Sequence, residues 1–305
     1  MSAASPFHRI TIIGLGLVGS SIARAVRAHW PDTAIIGYDA DENVQNRARA
    51  LGLCTAIVDD IVDSVRDSDL IIFAVPVGAT QDVATRLIGH VPADAIISDV
   101  GSSKATVAAV LHQAFPDHSI VPAHPVAGTE NSGPDAGFAS LFHERWCILT
   151  PNADTSPAAV ARLSDFWAKF GAKVEIMDAQ HHDMVLAVTS HLPHLIAYTI
   201  VGTASDLENV TTSDVIKYSA GGFRDFTRIA ASNPVMWRDV FLSNRDAVLT
   251  MLQRFSEDLS QLQRAIRWGD GDTLHELFSR TRDIRRSIIE QGQDDAAPDF
   301  GRKHD

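Results

Sequence analysis

The sequence predicts an α/β protein in which a domain built on a mostly parallel β-sheet is followed by an all-helical domain. Short apolar runs rich in β-branched residues alternate with longer mixed segments through the first half of the chain, as in parallel strands joined by crossover helices. From Asp178 onward long helical patterns replace the strands. We therefore predict a sheet domain over residues 1–177 and a helical dimerisation domain over residues 178–305 with a frayed polar tail.

Seven segments carry the strand pattern. In chain order they are RITIIGLG, AIIGYDA, DLIIFAVPV, AIISDVG, SIVPAHPV, WCILTP and KVEIM. A polar loop precedes the last of them and leads into a helix, for which Ser156 is the expected N-cap and Pro157 the first helical residue. Since KVEIM follows this helix, the loop belongs to the first domain.

The charge balance excludes two classes of partner. The chain of 305 residues has a formal net charge of -12 and a pI of about 5.4, whereas nucleic acids and anionic membranes bind basic surfaces. We expect neither partner, and an anionic substrate would require a local basic pocket. The N-terminal MSAASPFHR lacks the order of a signal peptide, which predicts a cytoplasmic protein. Cys54 and Cys147 lack metal-binding spacing and are expected to be reduced thiols.

The helical half carries more apolar periodicity than one layer of helices around a single core needs. The stretch VLAVTSHLPHLIAYTIVG is the clearest example. Part of this surface is expected to be buried between subunits, which predicts a homodimer formed through the helical domain.

A glycine motif follows the first predicted strand. Gly14, Gly16 and Gly19 have GxGxxG spacing between an apolar strand and an Ala-rich helix. The three glycines permit a tight turn, close approach of a pyrophosphate to the backbone and close packing of helix on strand. This context predicts a Rossmann-type dinucleotide site, whose expected cofactor-binding residues are Gly14, Leu15, Gly16, Leu17, Val18, Gly19, Asp39, Val75 and Pro76.

Asp39 ends the second strand, 20 residues beyond Gly19. A carboxylate there can accept hydrogen bonds from the adenosine ribose hydroxyls and would repel a 2′-phosphate. The sequence therefore favours NAD over NADP as cofactor. The alternative is that Asp39 merely caps the loop, which would leave the choice of cofactor open.

Candidate catalytic groups follow two later strands. Ser102 and Ser103 come directly after the strand AIISDVG, and His124 comes at the end of SIVPAH, so all three are expected at the carboxyl edge of the sheet. An imidazole suits a proton acceptor in a hydride-transfer reaction. The alternatives are helix N-capping for either serine and a buried structural role for His124.

Five blocks of the sequence resemble one enzyme family in their order and spacing. GLGLVGSS, DVGSSK, AHPVAGTENSGPDAG, TSHLPHLIAY and YSAGGFRDFTRIAASNPVMW are similar to the TyrA family, the prephenate and arogenate dehydrogenases of tyrosine biosynthesis, over nearly the whole chain. The resemblance is closest to the bacterial cyclohexadienyl dehydrogenases. It implies NAD-dependent oxidative decarboxylation of a small anionic cyclohexadienyl substrate, of prephenate to 4-hydroxyphenylpyruvate, of arogenate to tyrosine, or of both.

The resemblance also implies roles for individual residues. His124 matches the histidine that takes the proton of the ring hydroxyl, and Ser102 matches the serine that orients that hydroxyl. His194 lines the substrate side chain and Arg228 pairs with a substrate carboxylate, whereas His191 is expected to support the packing. Four further residues match family positions that line or gate the pocket: Gly221, Asp225, Glu130 and Trp237.

Two other functions compete with this hypothesis. A hydroxyacid-type dehydrogenase or reductase would use a lysine of the helical domain, and Lys217 is the only lysine between residues 174 and 302. A non-catalytic dinucleotide-binding dimer would be expected to lack the catalytic set. The segment His181 to Asp183 with His191 and His194 invites a metal site, but HExxH spacing and a third ligand are missing, so no metal is expected.

Overall fold

A computed structural model of the chain describes residues 5–129, 131–206 and 221–290. The chain divides into two compact units, Met1–Val248 and Leu249–Asp305. The first unit contains both the sheets and most of the helices, including every described residue that the sequence analysis selected for the site. The predicted boundary near residue 177 stays a prediction.

The first unit is built on a six-stranded parallel sheet. Its strands are β1 (Arg9–Ile13), β2 (Ala34–Tyr38), β3 (Ala56–Ile57), β4 (Leu70–Phe73), β5 (Ile96–Asp99) and β6 (Ser119–Ile120). Their order across the sheet is β3-β2-β1-β4-β5-β6, so the strand order reverses beside β1. Open α/β sheets bind ligands at that reversal, outside the carboxyl ends of the strands. The predicted fold class is confirmed, although the two-residue strand β3 was not predicted.

Helices cover both faces of this sheet. They are α1 (Leu17–His29), α2 (Glu42–Ala50), α3 (Ile61–Val65), α4 (Thr80–Leu87), α5 (Ala105–Ala114) and α6 (Pro157–Lys169), with short 3-10 turns at Val77–Ala79 and Pro134–Ala136. Ser156 precedes α6 as predicted, but its hydroxyl forms no capping hydrogen bond.

A second sheet of three strands corrects the predicted strand SIVPAHPV. The strands are β7 (Ala123–Pro125), β8 (Trp146–Leu149) and β9 (Lys173–Ile176), with β7 antiparallel and β9 parallel to β8. Val121 still donates to the Ile97 carbonyl of the first sheet at 2.9 Å, whereas the Pro122 carbonyl accepts from Thr150 at 2.9 Å. The chain therefore changes sheets at Pro122, whose ring nitrogen has no proton to continue the first ladder. His124 accordingly lies in β7 and not at the edge of the main sheet.

The core on one face of the sheet fixes the position of α1. Trp30, which follows α1, stacks on Phe166 of α6 with ring centroids 5.8 Å apart, and Phe170 lies 4.6 Å from Phe166 in an edge-to-face arrangement. Ala123 and Leu149 of the second sheet join the same buried cluster. Because aromatic groups of this size dominate the energy of a core, α1 and β7 are held by one continuous packing unit.

The helical segment begins with α7 (Ala179–Leu186), a π-helical turn at Ala187–His191 and α8 (Leu192–Ser205). Asp178 caps α7 by accepting hydrogen bonds from the backbone of Gln180 and His181. Pro193 has no N–H with which to bond the carbonyl four residues earlier, which accounts for the wider turn just before α8. The later helices are α9 (Gly221–Thr227), a 3-10 turn at Arg228–Ala231, α10 (Pro234–Ser243), α11 (Arg245–Trp268) and α12 (Gly271–Glu290).

Within the first unit, α10 packs against the sheet domain. The Thr106 hydroxyl donates to the Ser243 carbonyl at 2.8 Å, and the hydroxyls of Ser103 and Ser243 are 2.7 Å apart. A Cβ atom on Gly78 would lie 2.7 Å from an Asp239 carboxylate oxygen. Glycine at this turn therefore allows α10 to approach the loop that follows β4.

Large apolar side chains remain exposed on the helices of the first unit. They are Met184, Val188, Ile200, Val201, Phe226, Val235, Met236 and Leu242. Ala179–Ser205 is, within the described part of the chain, the one helical stretch long and apolar enough to cross a membrane. Length and composition alone are weak evidence for such a role, because a helix packed in a soluble protein meets the same criterion.

Candidate active site

The glycine loop between β1 and α1 has the geometry of a dinucleotide turn. Gly14 has φ of +98°, and a Cβ atom on it would lie 2.3 Å from the Ala74 carbonyl oxygen. A Cβ atom on Gly19 would lie 1.9 Å from the Gly14 carbonyl oxygen, so both positions require glycine. At Gly16, the N-cap of α1, nothing lies within 4 Å of such an atom, and no side chain caps the helix. The open space at Gly16 lies at the N-terminus of α1, where free backbone N–H groups favour anions, so it fits a pyrophosphate.

The other predicted cofactor residues surround this loop. Leu17 and Val18 open α1 and are half-buried against the core, whereas Leu15 is fully buried. Val75 lies beneath the loop, with its Cγ1 atom 3.2 Å from where a Gly14 Cβ would be, and Pro76 is exposed beside it.

Asp39 closes the loop with its carboxylate. One oxygen accepts from the Leu15 backbone at 2.8 Å, and the other accepts from the Asp41 backbone at 3.0 Å. Asp39 therefore caps the loop, as considered from the sequence. Each of its carboxylate oxygens can still accept a second hydrogen bond. Asp41 and Glu42 follow after Ala40 and add negative charge beyond the end of β2.

A buried ion pair lies beneath the second sheet. Lys104, which is fully buried, donates to Asp99 and also to the Ala123 carbonyl at 2.8 Å. The second contact fixes the residue directly before His124. Burial lowers the pKa of Lys104, and the adjacent Asp99 carboxylate opposes that shift. Because removing one partner would leave an isolated buried charge, both halves of the pair are required.

Asp183 of α7, rather than a serine, caps the start of α5. Its two carboxylate oxygens accept from the backbone N–H groups of Lys104 at 2.7 Å and Ala105 at 2.9 Å. Neither Ser102 nor Ser103 caps this helix, so the N-cap alternative for these serines is wrong. The cap is supplied from 79 residues further along the chain, and it joins the helical segment to the sheet domain.

A chain of three polar side chains leads from Asp183 to His124. The Asp183 carboxylate lies 2.9 Å from Nδ1 of His182, and Nε2 of His182 lies 2.8 Å from Nδ1 of His124. All three residues are buried. From the sequence, His182 and Asp183 were candidates only as metal ligands. The one sequence signal for their actual position is an adjacent His-Asp pair in the first turns of a helix.

Burial keeps His124 neutral. Loss of solvation lowers the pKa of His124 well below 6.5, and the nearby His182, Lys104 and His191 lower it further. An unprotonated imidazole retains one nitrogen lone pair, so the group can accept a proton at neutral pH.

His191 and Ser102 lie on the same side of the site. Nδ1 of His191 accepts a hydrogen bond from the Asn244 amide at 3.0 Å, and that amide also donates to the Asp183 carbonyl at 2.7 Å. Burial lowers the pKa of His191 to about 4, and the neighbouring backbone of Ser102 opposes the shift. His191 is thus held as a packing residue between the Ser102 loop and α10, while Ser102 is half-buried beside it.

Two of the predicted substrate residues, His194 and Trp237, are in direct contact. The ring of His194 stacks on the buried Trp237 with centroids 3.6 Å apart and an angle of 24° between the planes. Nδ1–H of His194 donates to the Ser190 carbonyl at 2.8 Å, which leaves Nε2 as an acceptor. Burial lowers the pKa of His194, and the positive charge of Arg228 nearby lowers it further. Arg228 itself begins an exposed 3-10 turn.

Of the remaining predicted residues, Gly221 and Asp225 lie in the segment before that turn, and Glu130 is not among the described residues. Gly221 opens α9, and a Cβ atom on it would lie 3.8 Å from an Asp225 carboxylate oxygen. Asp225 lies 3.6 Å from the Arg224 guanidinium. Glu130 and Lys217 lie outside the described residues. Within the described ranges, no group of three His, Cys, Asp or Glu side chains is arranged to hold a metal ion.

The parallel sheet, its glycine turn and the acidic end of β2 define an enzyme class that binds a nicotinamide dinucleotide. Two family models match the chain, the nucleotide-binding domain of prephenate dehydrogenase over residues 22–176 and the dimerization domain of prephenate dehydrogenase over residues 178–280. The chain belongs to the prephenate dehydrogenase family. The resemblance inferred from the sequence blocks is confirmed.

Relatives match over almost the full chain. A cyclohexadienyl dehydrogenase of Zymomonas mobilis is 48% identical over 282 residues, which cover 92% of this chain and 96% of that protein. A prephenate dehydrogenase of Bacillus subtilis is 34% identical over 92% of this chain and 76% of that protein. The crystal structure of prephenate dehydrogenase from Aquifex aeolicus with hydroxyphenyl propionate and NAD+ is similar with a TM-score of 0.85 and 32% identity, covering 94% of this chain and 99% of that one.

The buried histidines predict that the fold loses stability in mild acid. The pKa values of His124, His182, His191 and His194 all lie below 6.5, chiefly because of burial. At a pH between the lowered pKa values of the folded state and the ordinary histidine pKa of about 6.5, the unfolded chain binds more protons than the folded one. The free energy of unfolding therefore falls as the pH drops below about 6.5. For His191 alone, with a pKa of about 4, the loss is on the order of 3 kcal/mol once pH is below that value.

Urea denaturation followed by circular dichroism between about pH 7.5 and about pH 5 measures this loss before most carboxylates titrate. A stability that stays constant over that range would contradict the neutral state of the buried histidines. His90→Gln, a substitution at a histidine that is exposed on the surface, serves as the matched control.

Proposed function

We propose that the protein catalyses the oxidative decarboxylation of prephenate, arogenate or both with NAD as the hydride acceptor. The observation that carries this proposal is the 48% identity to a cyclohexadienyl dehydrogenase over nearly the full length of both chains. The combination of a dinucleotide turn with a buried, neutral histidine supports the same reaction class.

The cofactor is held by the glycine loop in this proposal. The N-terminus of α1 at Gly16 receives the pyrophosphate, and the second lone pairs of the Asp39 carboxylate receive the ribose hydroxyls. When bound, the nicotinamide ring accepts a hydride from the substrate. We propose NAD rather than NADP because Asp39, Asp41 and Glu42 would repel a 2′-phosphate.

His124 is the proposed acceptor of the proton from the ring hydroxyl, and Ser102 orients that hydroxyl. With the cofactor bound, a hydride would leave the hydroxyl-bearing ring carbon as its O–H proton passes to the imidazole. Cleavage of the bond between the carboxylate and the opposite ring carbon would release carbon dioxide and leave an aromatic ring, whose phenolate oxygen would take the proton back from His124. A neutral imidazole is needed at the start of this step, which agrees with the lowered pKa of His124.

Prephenate is a dianion, so its binding requires a local cation in an acidic chain. Arg228 is the proposed partner of a substrate carboxylate, because a guanidinium matches a carboxylate with two parallel hydrogen bonds. His194, stacked on Trp237, is proposed to line the substrate side chain, and Gly221, Asp225 and Glu130 are proposed to border the same pocket.

We further propose a cytoplasmic homodimer assembled through the helical segment, with the division into two domains near residue 177. The exposed apolar side chains on α8 and α10, including Ile200, Val201 and Leu242, support this assembly, as does the description of the matching family domain. Sedimentation equilibrium is expected to give a mass of twice 33.0 kDa, and a stable monomer would contradict the proposal.

The experiment that tests the activity offers prephenate and arogenate in parallel to the purified protein with NAD or NADP, and follows reduced cofactor by absorbance. Turnover with NAD is expected, and the ratio of the two rates assigns substrate preference. Absence of turnover with either substrate, despite binding of NAD, would reject the proposed reaction.

His124→Asn tests the proton acceptor. The amide keeps a hydrogen-bonding group toward His182 but has no basic nitrogen, so kcat is expected to fall by about 10²- to 10⁴-fold with little change in KM. Steady-state kinetics measures both constants, with His90→Asn as the surface control. A kcat within a few-fold of the unchanged protein would mean that another group takes the proton.

Arg228→Gln tests the carboxylate contact. Loss of a charged hydrogen bond is expected to raise KM roughly 10- to 100-fold while kcat changes less. Arg245→Gln is the matched control, because Arg245 is an exposed arginine paired only loosely with Asp246 at 3.4 Å and is expected to leave KM unchanged. Equal effects of the two substitutions would remove Arg228 from the substrate site.

A further inference from the structure

We propose that Asp183 and His182 are positioning residues that hold His124 in the one tautomer able to accept the substrate proton at Nε2. The inference rests on the proposed function, in which His124 takes the proton from the ring hydroxyl. It gives a role to the His-Asp pair that sequence spacing suggested only as metal ligands, and the two residues act through His124 without touching the substrate.

The first step is the charge on Asp183. Burial alone would raise the pKa of this carboxyl, but the hydrogen bond from His182 and the two backbone N–H groups of Lys104 and Ala105 lower it below its ordinary value. Asp183 is therefore a carboxylate, which accepts hydrogen bonds and donates none. Nδ1 of His182, at 2.9 Å, must then carry a proton and donate it.

The second step transfers this constraint to His124. Burial lowers the pKa of His182 despite the adjacent carboxylate, and the Lys104 ammonium favours the same neutral state. A neutral His182 with its proton on Nδ1 has a lone pair on Nε2. That atom lies 2.8 Å from Nδ1 of His124, so Nδ1 of His124 must be the donor. The lone pair of His124 is consequently on Nε2, the nitrogen turned away from the chain of hydrogen bonds.

The alternative tautomer of His124 would break this chain. With the proton on Nε2, Nδ1 of His124 and Nε2 of His182 would be two acceptors facing each other 2.8 Å apart in a buried site. Two buried acceptors without a donor between them lose their hydrogen bonds and are not compensated by water, which disfavours this tautomer. With its proton on Nε2, a neutral His124 would also offer no lone pair to the substrate. The hydrogen bond to His182 therefore sets how much of the reactive tautomer is present and whether the ring can accept the substrate proton.

The hydrogen-bonded chain of Asp183, His182 and His124, which we call the relay, also accommodates the charge that proton transfer creates. The O–H bond of the substrate breaks as the Nε2–H bond of His124 forms, and the resulting imidazolium keeps its Nδ1–H bond to His182. The negative charge of Asp183 then lies at the far end of the same hydrogen-bonded line. The positive charge of the nearby Lys104 disfavours a persistent positive charge on His124, so the proton is readily released after turnover.

Two nearly isosteric variants separate the relay from simple packing. In His182→Asn the amide reaches the place of Nδ1 and keeps the contact with Asp183, but no atom replaces the acceptor that faces His124. In His182→Gln the amide oxygen reaches the place of Nε2 and restores that acceptor. We expect kcat to fall about 10²-fold in the Asn variant and to stay within about 10-fold in the Gln variant, with KM little changed in both.

His181→Asn is the matched control, because His181 is the neighbouring residue of α7 and is exposed. Its kcat is expected to equal that of the unchanged protein. If the Asn and Gln variants of His182 lose activity equally while remaining folded, His182 fills space only, and the inference is overturned.

Nitrogen NMR of histidine-labelled protein tests the tautomer without any turnover. The unchanged protein is expected to show His124 protonated on Nδ1 at neutral pH, with the His124→Asn spectrum used to assign the signal. Protonation on Nε2 instead would overturn the inference, even in a fully active enzyme. If neither prephenate nor arogenate is turned over while the Nδ1–H tautomer is observed, the proposed function fails but the positioning role of the relay stands.

Discussion

The Asp183 carboxylate accepts three hydrogen bonds, from His182 and from the backbone of Lys104 and Ala105. Through them it caps α5, anchors α7 and fixes the ring next to His124. A buried carboxylate is costly unless its lone pairs are satisfied, and here the donors come from two separate parts of the chain. The helical segment and the sheet domain are thus joined at a polar contact that both must complete, and the site lies directly beside it.

Lys104 performs a similar task beneath β7. Its ammonium meets Asp99 and the Ala123 carbonyl in a place with no access to solvent. A buried pair contributes little to net stability compared with apolar packing, and its retention is better explained by the geometry that it fixes. That geometry is the position of β7, which Pro122 has already released from the main sheet. The backbone at His124 is thereby held by contacts that do not involve its ring.

Much of the fold could be predicted because its signals are local. Apolar runs bounded by turn residues identify β1, β2, β4 and β5, and the glycine spacing identifies the dinucleotide turn from a few neighbouring residues. The split of SIVPAHPV could not be predicted in the same way. Pro122 marks an interruption, but the direction of the chain after it depends on pairing with β8, which is distant in sequence.

The site was predictable only in its separate parts. His124, His194, Arg228 and Trp237 were selected through their family motifs, whereas the connection of His124 to His182 spans 58 residues. No local pattern encodes such a contact, because it depends on how α7 packs against α5. The same limitation explains why the N-cap alternative for Ser102 and Ser103 was wrong, since local propensity favours serine and a distant aspartate provides the cap instead.

Charge around His124 is confined to compensated pairs. Lys104 faces Asp99, Asp183 faces three donors, and burial holds the neighbouring histidines neutral. In a chain with a net charge of -12, uncompensated carboxylates near the pocket would repel an anionic ligand, whereas additional fixed cations would hinder formation of an imidazolium. Neutral histidines avoid both penalties and still provide directional hydrogen bonds. The burial that makes the fold sensitive to acid is therefore the same property that leaves His124 with a free lone pair at neutral pH.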